Sequence, residues 1–383
     1  MEAVVEERVS AWPQSSTATV ATNALSFYSG KRVFVTGHTG FKGSWLCRML
    51  QCAGAELTGY ALDPPTEPSL FREAKIAQGM RSVIGDVRDA DHLFRVFDET
   101  APEVVFHLAA QPLVRRGYRL PVETFEINLM GTVNVLQCLR RSNQPVSAVI
   151  VTTDKVYRNR ECDIGYNERD ELGGSDPYAG SKACAEIACN VWRESYLAQT
   201  EIAMSTVRAG NVIGGGDFAA MRIIPDCVRA ALANRTISIR NPRSIRPYQH
   251  VLEALFAYLI LAARQVVDPS IVGCYNVGPD TQNCMRTSDL VDIFCRIWGG
   301  GLSWATCEDD GPAETGVLQL DSSKAKEMLG WRPSWNVAQA VERVVEWTRV
   351  WQAGEDVARC MDAQARSWMQ SFEANEERTC SRI

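Results

Sequence analysis

From Lys31 onward the apolar residues fall in short unbroken runs that end in glycine or a small polar side chain, with longer stretches of helical spacing between them. The runs are Arg32 to Thr36, Glu56 to Tyr60, Ser82 to Ile84, Val104 to Leu108, Ala148 to Thr152 and Ala203 to Val207. A strand covered on both faces has no polar side to present, so it reads as a continuous apolar run. Alternation of such runs with helices is the βαβ signature. The pattern predicts an α/β chain built on an open, doubly wound parallel sheet of the Rossmann type. After Arg208 the regularity fades: glycine, proline and arginine become frequent, and strand-like and helical pieces mix as far as about Trp347. A smaller, partly interleaved C-terminal substrate lobe is expected there. The predicted division is a flexible tail over 1–27, a dinucleotide-binding domain over 28–207, the lobe over 208–351, and a C-terminal helix and tail over 352–383. Ser15 to Ser26, rich in Ser, Thr and Ala, reads as loosely ordered, and the polar stretch beyond about Glu373 as fraying.

Composition narrows the possibilities without changing that picture. With 383 residues and 46% apolar side chains the chain can bury one large core or two adjoining ones. A net charge of -6 lacks the basic footprint of a nucleic-acid binder. Thirteen cysteines, an odd number without paired CxxC or Cys/His spacing, suggest neither a disulfide framework nor a metal site, and a reducing cytoplasm fits them best. No apolar run approaches the roughly 18 residues needed to span a bilayer. Glu2, Glu6 and Glu7 stand where a targeting peptide would be basic.

The first candidate chemistry is the loop Thr36-Gly37-His38-Thr39-Gly40-Phe41-Lys42-Gly43, which follows the first strand and precedes an amphipathic run beginning at Ser44. Glycines allow a tight turn and close approach of a pyrophosphate to bare backbone, and the free N–H groups of the helix start then face its charge. An ordinary βα turn can carry the same letters, but the strand–loop–helix setting favours a dinucleotide. Gly37, His38, Thr39, Gly40, Phe41 and Gly43 are therefore candidate cofactor contacts. The carboxylate expected at the end of the second strand falls near Tyr60, with Asp63 three residues on, so NAD is preferred to NADP on a weaker signal than the dinucleotide itself. Asp86-Val87 after the third strand is placed to hold adenine, although an Asp there can equally cap a strand. Leu108, Ala109 and Ala110, ending the fourth, are small where the chain must pass the cofactor.

The second is Tyr178-Ala179-Gly180-Ser181-Lys182, whose Tyr and Lys share one face of a helix. Such a pair is common by chance, and its position downstream of Val151-Thr152-Thr153-Asp154 is what gives it weight. A phenol with pKa about 10 is a poor base near neutrality. An ammonium and a positively charged nicotinamide nearby would stabilise the phenolate, so that Tyr178 could take a proton from a sugar hydroxyl as hydride leaves the same carbon. Lys182 would also hold the nicotinamide ribose.

These pieces together resemble a known family. The Gly37 to Gly43 loop, His107-Leu108-Ala109-Ala110-Gln111, Asn128, Thr152-Thr153-Asp154-Lys155-Val156-Tyr157 and the Tyr178/Lys182 pair look like the extended short-chain dehydrogenases that act on nucleotide sugars. The runs Tyr60 to Pro65, Gln111 to Arg116, Arg208 to Asp217 and Ile245 to Val251 are similar to its 4,6-dehydratase branch that takes CDP-glucose. The resemblance covers about Tyr28 to Trp351. It implies NAD as a cofactor regenerated in each turnover, with oxidation at hexose carbon 4, loss of water across carbons 5 and 6, and hydride return to carbon 6. It assigns Tyr178 the first proton abstraction, Thr153 a hydrogen bond to the sugar, and Asp154 and Lys155 the elimination.

Asp-Lys at those two positions raises a physical tension. Asp154 as an acid must hold a proton that an adjacent ammonium would pull away. Lys155 as a base must be neutral, and at a pKa of about 10.4 only about one molecule in a thousand is, near pH 7. Either desolvation lowers Lys155, or it orients a water or stabilises an enolate. A salt bridge at a strand end is the plain alternative.

The substrate class implied is a nucleoside-diphosphate hexose, CDP-glucose first. Its diphosphate calls for a guanidinium: Arg246 is the first candidate and Arg208 the second. Gln111 and Asn211 are candidate sugar or phosphate contacts, and Asn241-Pro242 would border the base. Lys42, Arg115 and Arg116 read as surface charge, and Glu186 as a partner of Lys182 or of solvent. The rival readings are a dehydratase of another nucleotide sugar or a 4-epimerase of the same fold, the epimerase disfavoured by Asp154-Lys155, and a catalytically silent NAD-sensing protein is more distant. The resemblance implies a homodimer formed by helices after the fourth and fifth strands.

Overall fold

Val33, Phe34 and Val35 are fully buried, as an apolar run with no polar face requires. The structure, a computed structural model, describes residues 20–161, 164–308, 311 and 316–380. It has a parallel sheet of seven strands: β1 (Arg32–Thr36), β2 (Glu56–Ala61), β3 (Arg81–Ile84), β4 (Val104–His107), β5 (Val146–Val151), β6 (Ile202–Ala209) and β7 (Cys274–Val277), in the spatial order β7-β6-β5-β4-β1-β2-β3. The order reverses between β1 and β4, and a doubly wound sheet opens its binding crevice at that point, beyond the carboxyl ends of the strands.

The six runs expected from sequence are β1 to β6, with ends displaced by up to two residues. The seventh strand, Cys-Tyr-Asn-Val, was not anticipated. It is short, interrupted by a buried Asn276, and lies in the mixed region after Arg208.

Helices cover both faces. α1 is Val20–Ser26, α2 Phe41–Cys52, α3 Ala90–Thr100, α4 Gly131–Arg141, α5 Pro177–Trp192, α6 Ile223–Leu232, α7 Val251–Val267, α8 Thr287–Trp298, α9 Val337–Gln352 and α10 Val357–Cys380. α7 is apolar around almost its whole circumference and is buried along its length against β5, β6 and α1. A separate apolar cluster joins α6, α8 and α9 through Ile224, Leu290, Phe294, Val341 and Val344.

Two expectations about the ends are corrected. Residues 20–26 do not form a loose tail: in α1, Ala21, Ala24 and Leu25 are buried, and Tyr28 just beyond donates to the Leu259 carbonyl of α7 at 2.7 Å. Tertiary burial overrides the Ser/Thr/Ala composition, while the rest of that predicted tail lies outside the described residues. At the other end α10 continues past Glu373 to Cys380, and Thr22 of α1 donates to the Glu373 carboxylate at 3.0 Å. None of the helices is long and apolar enough to cross a membrane, among the described residues.

Candidate active site

The glycine loop lies at the switch between β1 and β4. Gly37 has φ +75°, in the left-handed region that favours glycine, and a Cβ there would stand 2.7 Å from the Ala109 nitrogen. A Cβ on Gly43 would lie 2.1 Å from the Gly37 carbonyl oxygen. Backbone therefore packs on backbone, leaving a bare cradle at the start of α2, which begins at Phe41 rather than at Ser44. The cradle suits a pyrophosphate at a helix N-terminus. Thr36 ties β1 to β4: its hydroxyl bonds the His107 ring at 2.7 Å and accepts from the Ala109 N–H at 3.2 Å. Burial holds His107 down to about 3, so it is neutral.

Other residues of the expected cofactor set divide by what their side chains do. His38 turns inward, bonding Ser82 at 2.7 Å, and burial lowers it to about 4, so only its backbone belongs to the cradle. The Thr39 hydroxyl donates to the Leu62 carbonyl and fixes the turn that carries exposed Asp63. The Asp86 carboxylate is bonded by the Arg88 backbone and guanidinium, a local cap beside buried Val87. Phe41 and Leu108 are half-buried and Ala109 and Ala110 flank the crevice.

Asp176 caps α5 by accepting from the Tyr178 and Ala179 N–H groups at 2.9 and 3.0 Å, with Pro177 at the first helical position. That cap brings Tyr178 into the first turn, facing the end of β5. Lys182, one turn on, donates to the Val151 carbonyl at 3.1 Å. Burial pulls its ammonium down to about 8. Tyr178 is pushed up to about 12 by burial, against a hydrogen bond with Thr153. The protein's own groups thus leave the phenol protonated, and a depressed value needs the positive ring of a nicotinamide beside it.

After β5 the chain makes a short 3₁₀ turn, Asp154–Val156, capped by Thr153. The Thr153 hydroxyl donates to Asp154 Oδ1 at 2.9 Å, while buried Oδ2 has no partner among the described residues. Burial raises the Asp154 carboxyl, overcoming opposing pulls from Lys155, Thr153, Arg246 and Lys42. The tension set by the sequence is resolved on the Asp side: desolvation outweighs the neighbouring ammonium. Lys155 is half-buried beside it.

Three expectations about polar residues are revised. Arg208 is buried in an ion pair with Glu186 at 2.8 Å, and it also donates to the Tyr157 hydroxyl at 2.9 Å and covers that ring. Its charge is thus matched within the fold by Glu186. Glu186 pairs with Arg208 rather than Lys182, and also accepts from Thr152 and Thr206. The Gln111 amide donates to Thr124 at 3.0 Å and accepts from the Leu113 N–H at 2.7 Å, while its backbone is bridged by Asn128, so it braces the loop rather than offering itself to a sugar.

Arg246, buried, donates to the Ile245 and Gly316 carbonyls at 2.9 and 3.2 Å and faces Asp154 closely enough to act on its charge. Asn211, half-buried, sits opposite on the segment that pairs with Gln249–His250. Sequence reasoning missed Arg222 and Tyr258, and it assigned Lys42 to the surface. Arg222 bonds Asp217 at 3.4 Å and acts on Tyr178 and Lys42. Lys42 is half-buried with its amine on the Tyr258 hydroxyl at 3.3 Å. The one available signal was its place between two glycines at a helix start, where a cation is electrostatically disfavoured.

Comparison with known proteins follows the same lines. A CDP-glucose 4,6-dehydratase of Salmonella typhimurium is 44% identical over 350 residues, 90% of this chain and 98% of that protein. Among solved structures, an epimerase of Methanothermobacter thermautotrophicus superposes with a TM-score of 0.75 at 22% identity, covering 88% of this chain and 97% of that one. A UDP-glucuronic acid 4-epimerase of Bacillus cereus, in complex with UDP-glucuronic acid and NAD, gives 0.71 at 19%, covering 83% and 98%. Both share the fold. The model of the NAD dependent epimerase/dehydratase family matches residues 33–278, well over half of the chain, and the chain belongs to that family.

Proposed function

We propose that this protein is a nucleotide-sugar 4,6-dehydratase, a hydro-lyase that converts CDP-glucose to CDP-4-dehydro-6-deoxyglucose with NAD as cofactor. The reading rests on the raised, buried Asp154 carboxyl with an unpaired oxygen beside Thr153 and Tyr178. A 4-epimerase expels nothing and has no use for a buried acid at that point. Dehydration across carbons 5 and 6 needs one to protonate the departing hydroxyl. The 44% identity to the Salmonella enzyme supports the same reaction and the same base.

NAD, held by the Gly37–Gly43 cradle and by Lys182 at its ribose, supplies the hydride acceptor and donor. Tyr178 takes the proton of the carbon 4 hydroxyl, and Thr153 orients that oxygen. Asp154 gives its proton to the hydroxyl leaving carbon 6, and Lys155 serves the carbon 5 side. Arg246 and Asn211 carry the sugar-phosphate end, in the lobe that follows Arg208. Buried thiols such as Cys47, Cys138 and Cys189 suit a reducing compartment, and the cytoplasm is the proposed location.

We also infer a homodimer. Val122, Met130, Ile187, Val191 and Tyr196 are exposed apolar residues on elements that pack against one another around α5. A patch of that kind on a stable protein marks an interface.

The test is mass spectrometry of products from CDP-, UDP- and dTDP-glucose. Loss of one water from CDP-glucose, with a 4-keto sugar absorbing in alkali, is the expected result. Return of an isomer of unchanged mass would establish an epimerase instead.

A further inference from the structure

The turn that carries Asp154 and Lys155 does not hold itself in place. It spans three residues, and the bond that closes it, from the Val156 N–H to the Thr153 carbonyl, is long at 3.4 Å. Its geometry must therefore come from what grips its two ends. At the front, Lys182 donates to the Val151 carbonyl at 3.1 Å and the Thr152 hydroxyl donates to Glu186, and both partners lie on α5, the helix that also carries Tyr178. At the rear stands Tyr157, which is buried. Its ring stacks on Tyr166 with centroids 5.1 Å apart, and the Arg208 guanidinium lies 5.1 Å from its centroid. Its hydroxyl accepts from Arg208 at 2.9 Å and donates to the Asn276 side-chain oxygen of β7 at 2.6 Å. Burial, opposed by Arg208, pushes this phenol well up, so it keeps the proton it donates. Arg208 in turn donates to Glu186 at 2.8 Å. Front and rear of the turn thus meet on one buried carboxylate, Thr152 on Oε1 and Arg208 on Oε2.

We propose that Tyr157 is a positioning residue for the elimination step, its hydroxyl fixing the Asp154–Lys155 turn relative to Tyr178 and Lys182 by way of Arg208 and Glu186. The chemical meaning of this tie rests on the dehydratase reading, although the tie itself does not. The two halves of that reaction use groups on different elements. Tyr178 and Lys182, on α5, serve the oxidation at carbon 4, whereas Asp154 and Lys155, on the turn, serve the loss of water. A sugar bound once must meet both sets, so their spacing has to be held within a fraction of an ångström, since a displacement of about 1 Å costs about a hundredfold in rate. Backbone bonds from Gly173 to the Val156 carbonyl at 2.8 Å and from Arg158 to the Glu171 carbonyl at 2.9 Å also hold the rear, but their partners belong to the loop between β5 and α5. The hydroxyl chain runs instead into the sheet, through Arg208 of β6 and Asn276 of β7, and Asn276 is itself bonded to the Tyr166 and Asp321 carbonyls at 2.7 and 3.1 Å. Removing the hydroxyl alone leaves the ring, its stack and the Glu186–Arg208 pair in place. The rear of the turn is then loosened while α5 is not, so elimination slows and oxidation does not.

Tyr157→Phe makes that change. Tyr166→Phe is its comparison, because it removes a neighbouring hydroxyl that is bonded to Asn159, at 2.9 Å, rather than to Arg208. Amide hydrogen exchange on the full chain with NAD added should quicken over residues 153–157 in Tyr157→Phe, with exchange of α5 unchanged. In Tyr166→Phe both segments should behave as in the unaltered protein. Unchanged exchange over 153–157 in Tyr157→Phe overturns the proposal, whether or not the chain dehydrates any sugar. Turnover of CDP-glucose gives the second arm. Tyr157→Phe should lower kcat by about tenfold or more, with KM changed by less than about threefold. The near-ultraviolet absorbance of reduced cofactor should rise during that turnover, because hydride has left carbon 4 and the departure of water lags behind. Tyr166→Phe should show neither change. Oxidation and elimination lost in equal measure, a fall in Tm with the balance of the two halves unmoved, or the same absorbance rise in Tyr166→Phe would make Tyr157 a structural residue only and refute the idea.

Discussion

Glu186 has partners on both carboxyl oxygens, whereas Asp154 has one on Oδ1 and, among the described residues, none on Oδ2. The difference separates stability from chemistry. Glu186→Gln would leave the Arg208 guanidinium buried without a counter-charge, which typically costs about 3–5 kcal/mol. A drop of several degrees in Tm is expected, together with lower yield. Asp154→Asn removes no ion-pair partner, so Tm should stay within a degree or two of the unaltered protein while dehydration falls by about 10²–10⁴-fold, the range typical of a lost general acid. Calorimetry and product analysis on the two variants check both halves, and a stable, active Glu186→Gln would contradict the assigned pairing. At this scale the sequence was readable only where a residue's partner is a near neighbour. Thr153, Asp154, Tyr178 and Lys182 come together as expected because one strand end and one capped helix carry them. Arg208 looked like a phosphate ligand because its partner lies 22 residues earlier on another element, and Lys42 looked like surface because Tyr258 lies 216 residues away.

The elements were more legible than their contents, since burial on both faces of a parallel strand leaves a direct trace in apolar runs. β7 escaped because Asn276 breaks its run, being used to bond Tyr157 and the Tyr166 carbonyl. α1 escaped because its stability comes from contact with α7 rather than from its own composition. Two predictions belong here. Gly43→Ala would drive a methyl into the Gly37 carbonyl, and backbone cannot yield as a flexible side chain can. NAD retention after gel filtration should be lost while the far-ultraviolet circular dichroism of the sheet and helices persists. The second concerns the start of α7. Glu253, fully buried, accepts from the Ser334 and Trp335 N–H groups, and burial raises it to about 7. A raised carboxyl favours the fold in its neutral form, so its contribution is complete below the ordinary value near 4.5 and is lost as pH climbs through 7. The Tm difference between Glu253→Gln and the unaltered chain should therefore shift in favour of the variant from pH 5 to pH 8. A difference that is flat over that range would show that Glu253 does not titrate there.

On the scale of the whole molecule, the catalytic cluster is assembled by one chain, yet its central helix also carries an apolar outer face. On α5, Lys182, Glu186 and Cys189 turn inward, while Ile187 and Val191, four residues apart and so on one side, are 54% and 45% exposed. Met130 and Tyr196 extend that side through neighbouring turns. The far side of the sheet needs no such cover, because α10 clasps it with an Arg48–Asp362 ion pair at 2.6 Å and a Phe256–Trp368 stack at 3.9 Å. The proposed second copy would therefore cover α5 and not α10. Ile187→Glu combined with Val191→Glu places four carboxylates at a two-fold contact where apolar side chains should meet, and like charges there are strongly unfavourable. Light scattering should report half the mass of the unaltered protein. Because Tyr178, Lys182, Asp154 and the glycine cradle all come from a single chain, the monomer should still turn over CDP-glucose, with α5 less well supported and Tm lower. A variant that keeps the dimer mass would move the interface elsewhere, and a monomer with no trace of turnover would mean that the partner contributes to the site.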